Sequence, residues 1–221
     1  MPLAIFLSLI MSAIWLVFFL LEDKKKPEPK IIITQTFVIG IISALATVGI
    51  GKLIAYIILP LGIIPHSIAS ISIYAFIEEL VKFLAVFIFI SRSRHFDESI
   101  DRMIYMIIAA LGFAAAENFF FLLNTASAPE MVTLATLRFI GATLMHVLSS
   151  GLLGYMWAKH RISIGLILAT AVHIIFNLLV LTFGPQYYPT IFLVLASFVL
   201  FYQFDIIKTY YYEKQKHKHR K

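Results

Sequence analysis

Three charged residues, Glu78, Glu79 and Lys82, lie about one turn apart inside an apolar stretch long enough to cross a lipid bilayer. A charged residue near the centre of a membrane helix costs roughly 2.5–3.5 kcal/mol, whereas each Leu, Ile, Val or Phe contributes only about 0.3–0.6 kcal/mol. Between His66 and Ser91 there are fourteen such apolar residues. They contribute roughly 4–8 kcal/mol against roughly 8–10 kcal/mol for the charges. A helix here cannot stand alone in lipid, so its polar face must meet other helices or a water-filled cavity, and it marks a candidate functional site.

The composition indicates a multi-span membrane protein and excludes an ordinary soluble domain. Of the 221 residues, 61% are hydrophobic and 14% are charged, and the mean hydropathy is +0.92. Residues 1–221 are therefore predicted to form a single integral membrane domain. Cysteine is absent, which leaves no disulfide framework and no Cys-ligated metal site. The net charge of +6 comes mainly from short basic segments. Such segments usually set topology or contact anionic lipid, so we predict the lipid bilayer, and no nucleic acid, as a partner.

Apolar runs of about 20 residues mark the predicted transmembrane helices, since a ~30 Å hydrocarbon core requires that length at ~1.5 Å per residue. The predicted fold is an all-α, polytopic transmembrane helix bundle of about seven spans. They run approximately over residues 2–21, 31–58, 67–91, 103–124, 131–158, 162–182 and 189–209. The second and fifth runs are long enough to be tilted or broken, and Gly49, Gly51 or Lys52 could end the second one early.

Basic residues occur in every second connection between these spans, which predicts the orientation of the chain. They fall in segments 24–30, 92–102 and 159–161 and in the tail after residue 207, whereas the loops around residues 65, 128 and 185 carry no Lys or Arg. By the positive-inside rule, the N-terminus lies outside, the C-terminus with its basic tail (210–221) is cytoplasmic, and the number of spans is odd. A secretory signal is the alternative for the first span. It has no basic n-region and no small-residue cleavage site, so we expect a retained span.

Four consecutive spans, the third to the sixth, carry polar residues at helical spacing. In the fifth span, Arg138, His146 and Ser150 recur at multiples of four residues and form one polar stripe. The first, second and seventh spans offer no comparable cluster. In chain order the candidate site residues are Glu78, Glu79, Lys82, Glu117, Asn118, Arg138, His146, Ser150, His173 and Asn177. They define a motif-bearing core over about residues 67–182.

Residue counts from the predicted helix ends place these groups in one layer of the membrane. The carboxylates, Arg138 and the histidines fall roughly 10–22 Å below the outer boundary at ~1.5 Å per residue. Glu117 and Arg138 come out at nearly equal depth on consecutive helices, which predicts an ion pair that organises the site. A Glu followed four residues later by a Lys is the favourable pairing direction along a helix. Lys82 is therefore expected to pair with Glu78 and to leave Glu79 free to act.

The mixture of carboxylates and imidazoles is suited to hydrolysis. Glu78 and Glu79 are neighbours in a region of low dielectric and should not both ionise easily, which suits one of them to act as a general base. With His146 and His173 at comparable depth, such a group could activate a water molecule and later protonate a leaving amine. The same residue types build zinc sites, whose ligands here would come from Glu78, Glu79, Glu117, His146 and His173. No HExxH sequence is present, so a zinc site would have to assemble across helices.

Three features of the sequence resemble the PrsW family of intramembrane proteases. They are the segment Glu78-Glu79-Leu-Val-Lys82, the segment Phe113-Ala-Ala-Ala-Glu117-Asn118, and the later His146 and His173. That family is related to the CAAX-processing and bacteriocin-processing proteases and to the scaffold subunit of gamma-secretase. In the CAAX branch, His stands where this chain has Glu117, and Arg stands where it has Lys82. Both departures favour the PrsW branch.

The resemblance implies a multi-pass protease of the cell membrane. Its substrate would be a single-span membrane protein such as an anti-sigma factor, cut first during envelope stress. By the same similarity the catalytic residues would be Glu78, Glu79, His146 and His173. Ser150 or Asn177 would support the histidines. The resemblance favours Glu78 as the water-activating base, whereas the helix-pairing argument favours Glu79, and neither decides whether a metal takes part.

Three other functions are compatible with part of the pattern. A non-catalytic scaffold would keep buried histidines without hydrolysis, although retention of both glutamates argues against it. A proton-coupled transporter could relay protons through carboxylate, Lys and His groups, but the sequence has no duplicated halves. A bis-His haem protein could use His146 and His173, but it would not explain three acidic residues. A protease needs a lateral opening for its substrate, and Gly141, Gly151 and Gly154 could allow close or movable packing.

Overall fold

The computed structural model describes residues 1–23 and 27–218, with side chains described for residues 1–22 and 27–209. Its helices are α1 (Pro2–Leu20), α2 (Lys30–Ile58), α3 (Ile68–Phe89), α4 (Asp101–Leu123), α5 (Ala128–Ile140), α6 (Ala142–Ala158), α7 (Ile162–Phe183) and α8 (Tyr187–Lys218). Short 3₁₀ turns, Leu21–Asp23 and Leu59–Leu61, follow α1 and α2. These residues contain no strand, so the predicted all-α fold is confirmed. Residues 24–26 and 219–221, which belong to two of the predicted basic segments, lie outside the described residues.

Six segments of the described chain are long and apolar enough to cross a bilayer. They are α1, α2 with the turn after it, α4, the consecutive pair α5 and α6, α7, and residues 187–209 of α8. Helix α3 has a comparable length of 22 residues, but Glu78, Glu79 and Lys82 reduce its apolar character. With α3 included, seven segments have spanning length, as predicted. The orientation of the termini stays a prediction.

Helix α4 lies at the centre of the bundle and packs against α1, α2 and α6. In its spanning stretch 67% of the residues are buried, against 28% in α1, α2, α7 and α8. Those outer helices expose many large apolar side chains, such as Phe6, Leu53, Ile167 and Phe198. An apolar exterior of this kind is what a lipid environment requires. The polar groups of the protein therefore have to be sought inside the bundle.

Helices α2 and α4 cross with their backbones in contact because each has a glycine at the crossing. A Cβ atom on Gly40 would lie 2.1 Å from the carbonyl oxygen of Ala109, and one on Gly112 would lie 2.0 Å from that of Phe37. Small residues are the usual means by which membrane helices approach so closely. This crossing fixes one half of α2 on α4, while the rest of α2 continues past the crossing along α3 and α4.

The two long spans, which could each have been broken, differ in the structure. Helix α2 does not end early at Gly49 to Lys52 but continues to Ile58, the predicted end of the second span. In a bilayer each backbone N–H needs a partner within its own helix, which keeps the chain helical through glycine. The fifth span is broken, as its length allowed, at Gly141, whose φ of −85° and ψ of −97° are not helical. Arg138 and His146 therefore lie on two separate helices, α5 and α6.

Candidate active site

Nearly all of the predicted polar residues meet in one connected network inside the bundle. It is supplied by α3, α4, α6 and α7, with one arginine from α5. Its members are Glu78, Glu79, Lys82, Glu117, Asn118, Arg138, His146, Ser150 and His173. Groups that residue counts placed in one layer of the membrane are thus in mutual contact in the structure.

Glu79 is the most completely satisfied carboxylate of the network. Its side chain is fully buried. One oxygen, Oε1, lies 2.7 Å from Lys82 Nζ, 3.0 Å from Ser149 Oγ and 2.9 Å from His173 Nδ1. The other oxygen lies 3.4 Å from Ser150 Oγ. Three close donors leave Oε1 little capacity for a further proton or ligand, so Glu79 has the surroundings of a group that holds others in place.

Lys82 pairs with Glu79 and not, as predicted, with Glu78. The pair is of the i,i+3 type, and both side chains are inaccessible to solvent. Successive helical residues are ~100° apart, and α3 is rotated so that Glu79 and Lys82 both point into the bundle while Glu78 points to its side. The expectation that Glu79 is left free is therefore wrong, because Glu78 is the carboxylate that does not pair with Lys82.

His146 is held between the lysine and a second carboxylate. Its Nδ1 lies 3.1 Å from Lys82 Nζ, and its Nε2 lies 3.2 Å from Glu117 Oε2. An ammonium group only donates, so Nδ1 accepts from Lys82 and the ring proton on Nε2 is donated to Glu117. The Lys82 ammonium also lies 5.1 Å from the centre of the Phe113 ring. The histidine is thereby fixed in one tautomer.

The predicted ion pair between Glu117 and Arg138 is confirmed. Arg138 Nη2 lies 2.5 Å from Glu117 Oε2, and its Nε donates to Asn118 Oδ1 at 2.6 Å. Asn118 Nδ2 in turn donates to Thr143 Oγ1 at 2.9 Å. The guanidinium group also stacks 3.9 Å from the centre of the Phe121 ring. These contacts connect α4, α5 and α6 around the break in the fifth span.

Glu78 and His173 form the open edge of the network. His173 donates Nδ1–H to Glu79, which turns its other nitrogen, Nε2, toward Glu78 Oε2 at 3.7 Å. That glutamate oxygen is buried and has no hydrogen-bond partner among the described residues. The ring of His173 lies edge-on to that of His146, with 5.1 Å between centroids. Among the described residues, Glu78 is therefore the one carboxylate of the site with a buried oxygen that takes part in no hydrogen bond.

A cleft of ≈ 420 Å³ reaches Glu78 and Glu117 from the side of the bundle, between α2, α3 and α4. Its mouth includes Val48, Phe120 and Phe121, whose side chains are exposed on the apolar exterior. The protein thus has a lateral opening, and the opening leads to the two carboxylates.

The glycines expected to permit movable packing lie elsewhere. Gly154 packs against the backbone of α4 at Arg102 and Met103, and Gly151 packs against Leu200 of α8. Gly141 breaks the fifth span. The close packing of Gly151 and Gly154 is confirmed, but none of the three glycines lines the lateral cleft.

Three residues could present a metal ion with one donor atom each. Donor atoms of Glu78, His146 and His173 all lie within 4.8 Å of one another. Two imidazoles and a carboxylate are an ordinary ligand set for catalytic zinc. The contact of His173 Nδ1 with Glu79 is the kind of outer interaction that orients a metal-bound histidine. The unpartnered oxygen of Glu78 also fits a cation at this point.

Two contributors to the network escaped the sequence analysis, and one predicted residue lies apart from it. Ser149 and Thr143 each lie three residues from His146, and a search at spacing four alone missed them. Asn177 is one turn beyond His173, yet among the described residues no hydrogen bond joins it to either histidine. It lines a separate cavity nearer the loop between α2 and α3.

Comparison with known protein families gives a match that covers most of the chain. The profile of the PrsW family intramembrane metalloprotease matches residues 28–203, which include all the residues of the network. The chain belongs to the PrsW family. The resemblance read from its motifs is therefore confirmed, and with it a multi-pass protein of the cell membrane.

The chain is similar to the protein named Protease PrsW of Geobacillus kaustophilus (strain HTA426). The two are 27% identical over 148 residues, which are 66% of this chain and 62% of the relative. The matched part therefore spans less than two thirds of the relative's length. No solved structure matches the chain.

Proposed function

We propose that this PrsW-family chain is an intramembrane endopeptidase that hydrolyses a peptide bond of a membrane-bound substrate. The observation that carries the proposal is the unpartnered Oε2 of Glu78, which faces His173 Nε2 at 3.7 Å on the wall of a lateral cleft. This carboxylate oxygen makes no hydrogen bond that would stabilise the fold, yet it lies beside an imidazole and on a cleft that opens to the membrane. Such a group is available for a reaction.

In the proposed reaction Glu78 receives a proton from a water molecule. The water oxygen bonds to the substrate carbonyl carbon, the C–N bond breaks, and the proton passes to the departing nitrogen, which leaves a carboxyl and an amine fragment. Glu79 would act as a positioning residue that holds His173 through Nδ1, since its own oxygens are occupied. Lys82 would position His146 from the other side.

A zinc ion is the proposed cofactor, since the family is one of metalloproteases and the three donors of Glu78, His146 and His173 fit it. When bound, zinc polarises a carbonyl oxygen and makes a coordinated water a better nucleophile. In that case Glu78 would hold the ion, and Glu117 would be the remaining carboxylate on the cleft wall. His146 would then have to exchange its contact with Glu117 or Lys82, each of which now occupies one ring nitrogen.

The proposed substrate is a single-span membrane protein. A lateral cleft with an apolar mouth supports a substrate that approaches within the bilayer. An anti-sigma factor, the substrate that the motif resemblance implies, is our proposed physiological partner.

Cleavage of a single-span reporter by the purified protein in detergent tests this function. Glu78→Gln and His173→Ala are expected to abolish cleavage, while Asp205→Asn, which changes an exposed carboxylate on α8, should leave it intact. Loss of cleavage in a strong chelator, and its return with Zn²⁺, would support the metal. Cleavage that survives in chelator would support direct proton transfer from water to Glu78. Full activity of Glu78→Gln would refute a role for Glu78 both as a general base and as a zinc ligand.

A further inference from the structure

A second cavity lies nearer the loop between α2 and α3 and shares one lining residue, Tyr74, with the lateral cleft. It measures ≈ 330 Å³ and is lined by residues that include Ala55, Ile63, His66 and Asn177. It is mainly apolar, like the cleft, and both are bounded by the same two helices, α2 and α3. We name it the loop-side cavity.

Tyr74 lines both cavities and stands between them. Its hydroxyl donates to the carbonyl oxygen of Gly51 at 3.3 Å, and its Cε1 would lie 3.4 Å from a Cβ on Gly51. The aromatic ring therefore bridges α3 to α2 and forms part of the wall of both cavities. A chain that passed from one cavity to the other along the α2–α3 boundary would therefore have to pass this ring.

Tyr74 also has a fixed distance from the candidate catalytic carboxylate. It precedes Glu78 by four residues, so the two side chains lie on one face of α3, about 6 Å apart along the helix at ~1.5 Å per residue. An extended peptide advances ~3.3 Å per residue. A substrate whose scissile bond is at Glu78 would thus pass the tyrosine ring about two residues away from that bond.

We propose that the cleft and the loop-side cavity are two parts of one substrate groove, and that Tyr74 determines specificity by admitting only a small side chain where the chain passes its ring. The inference rests on the proposed function. The fitting substrate is an extended, apolar stretch of a membrane-spanning protein, with a small residue about two positions from the cleaved bond and on its loop-side part.

Reporter selectivity tests the role of Tyr74. In a reporter series with Ala, Leu or Phe at each position near the cut, the wild type should prefer Ala at the position that meets Tyr74. Tyr74→Ala should reduce that preference at least about tenfold, the range expected of an apolar subsite, while Tyr74→Phe, which keeps the ring and loses only the hydroxyl, should retain it. The readout is product identity by mass spectrometry, which a general loss of stability would not redirect. An unchanged ranking in Tyr74→Ala would overturn the assignment.

Cross-linking tests the groove without relying on hydrolysis. The protein has no cysteine, so Val48→Cys in the cleft and Ala55→Cys in the loop-side cavity can each be probed, in a Glu78→Gln background, with a single-span reporter carrying one cysteine in its apolar stretch. Phe198→Cys, on the exposed face of α8, is the matched control. Cross-links at both Val48→Cys and Ala55→Cys in excess of the control support the groove. If these cross-links form but the wild type cleaves no reporter, the proposed hydrolytic function is refuted and the groove is not. A cross-link in the cleft only, or no excess over the control, overturns the continuous groove.

Discussion

The substitution Gly40→Ala tests the backbone contact between α2 and α4. Its new Cβ would lie 2.1 Å from the carbonyl oxygen of Ala109, whereas an ordinary contact begins at 3.4 Å. The helices would therefore have to separate by about 3.4 − 2.1 = 1.3 Å, and a backbone carbonyl in a helix cannot turn aside. Overpacking of this kind typically costs about 1–3 kcal/mol. For a chain of this length that corresponds to a fall of roughly 2–12 °C in the unfolding midpoint.

Gly49→Ala is the matched control, because it makes the same change on the same helix. No atom lies within 4 Å of the Cβ position at Gly49, and Ala is favoured over Gly in a helix by up to about 1 kcal/mol. Unfolding midpoints in one detergent at one scan rate should therefore rank Gly40→Ala below the wild type and Gly49→Ala at or above it. Equal midpoints for the two variants would refute the glycine-mediated crossing, and with it the placement of α2 that forms the cleft.

Three further predictions follow from individual contacts in the site. Lys82→Met leaves the Glu79 carboxylate buried without its cation and should lower the free energy of unfolding by about 3–5 kcal/mol. The double variant Lys82→Met with Glu79→Gln removes both charges, so it should recover most of that loss in the same unfolding assay. Ser149→Ala should slow reporter cleavage more than Ser150→Ala, because Ser149 donates to Glu79 at 3.0 Å and Ser150 at 3.4 Å; equal rates would contradict this. Metal analysis of purified protein should find zinc in the wild type and much less in His173→Ala, and equal zinc in both would exclude this histidine as a ligand.

The helices were predictable from the sequence because a bilayer dictates the length of every span. The apolar runs, including the one that predicted α3, agree with the helices to within a few residues at most ends. The position of the break at Gly141 could not be predicted, since residues 128–158 have the hydropathy of one continuous span. The break separates Arg138, which contacts Glu117, from the helix that carries His146, and hydropathy carries no information about such a tertiary contact.

Most of the residues of the site were predictable, whereas their pairing within it was not. Depth follows from residue counts along each helix, which is why the Glu117–Arg138 pair could be anticipated. Rotation about the helix axis depends on packing against the neighbours, and this decided that Lys82 contacts Glu79 instead of Glu78. A sequence pattern allows both the i,i+3 and the i,i+4 pair, so it could not identify the free carboxylate.

The balance of charge inside the bundle connects the stability of this site with its proposed chemistry. Among the described residues of the network there are three carboxylates and two permanent cations. Lys82 contacts Glu79 and Arg138 contacts Glu117, so both cations are committed to carboxylates that hold a histidine. Glu78 is the carboxylate left over, and it is the one that faces the cleft. A negative charge at this depth needs a positive partner, and a metal ion beside the two histidines or the proton of an attacking water would supply one. The two ion pairs thus stabilise the fold and also keep the third carboxylate available for the reaction.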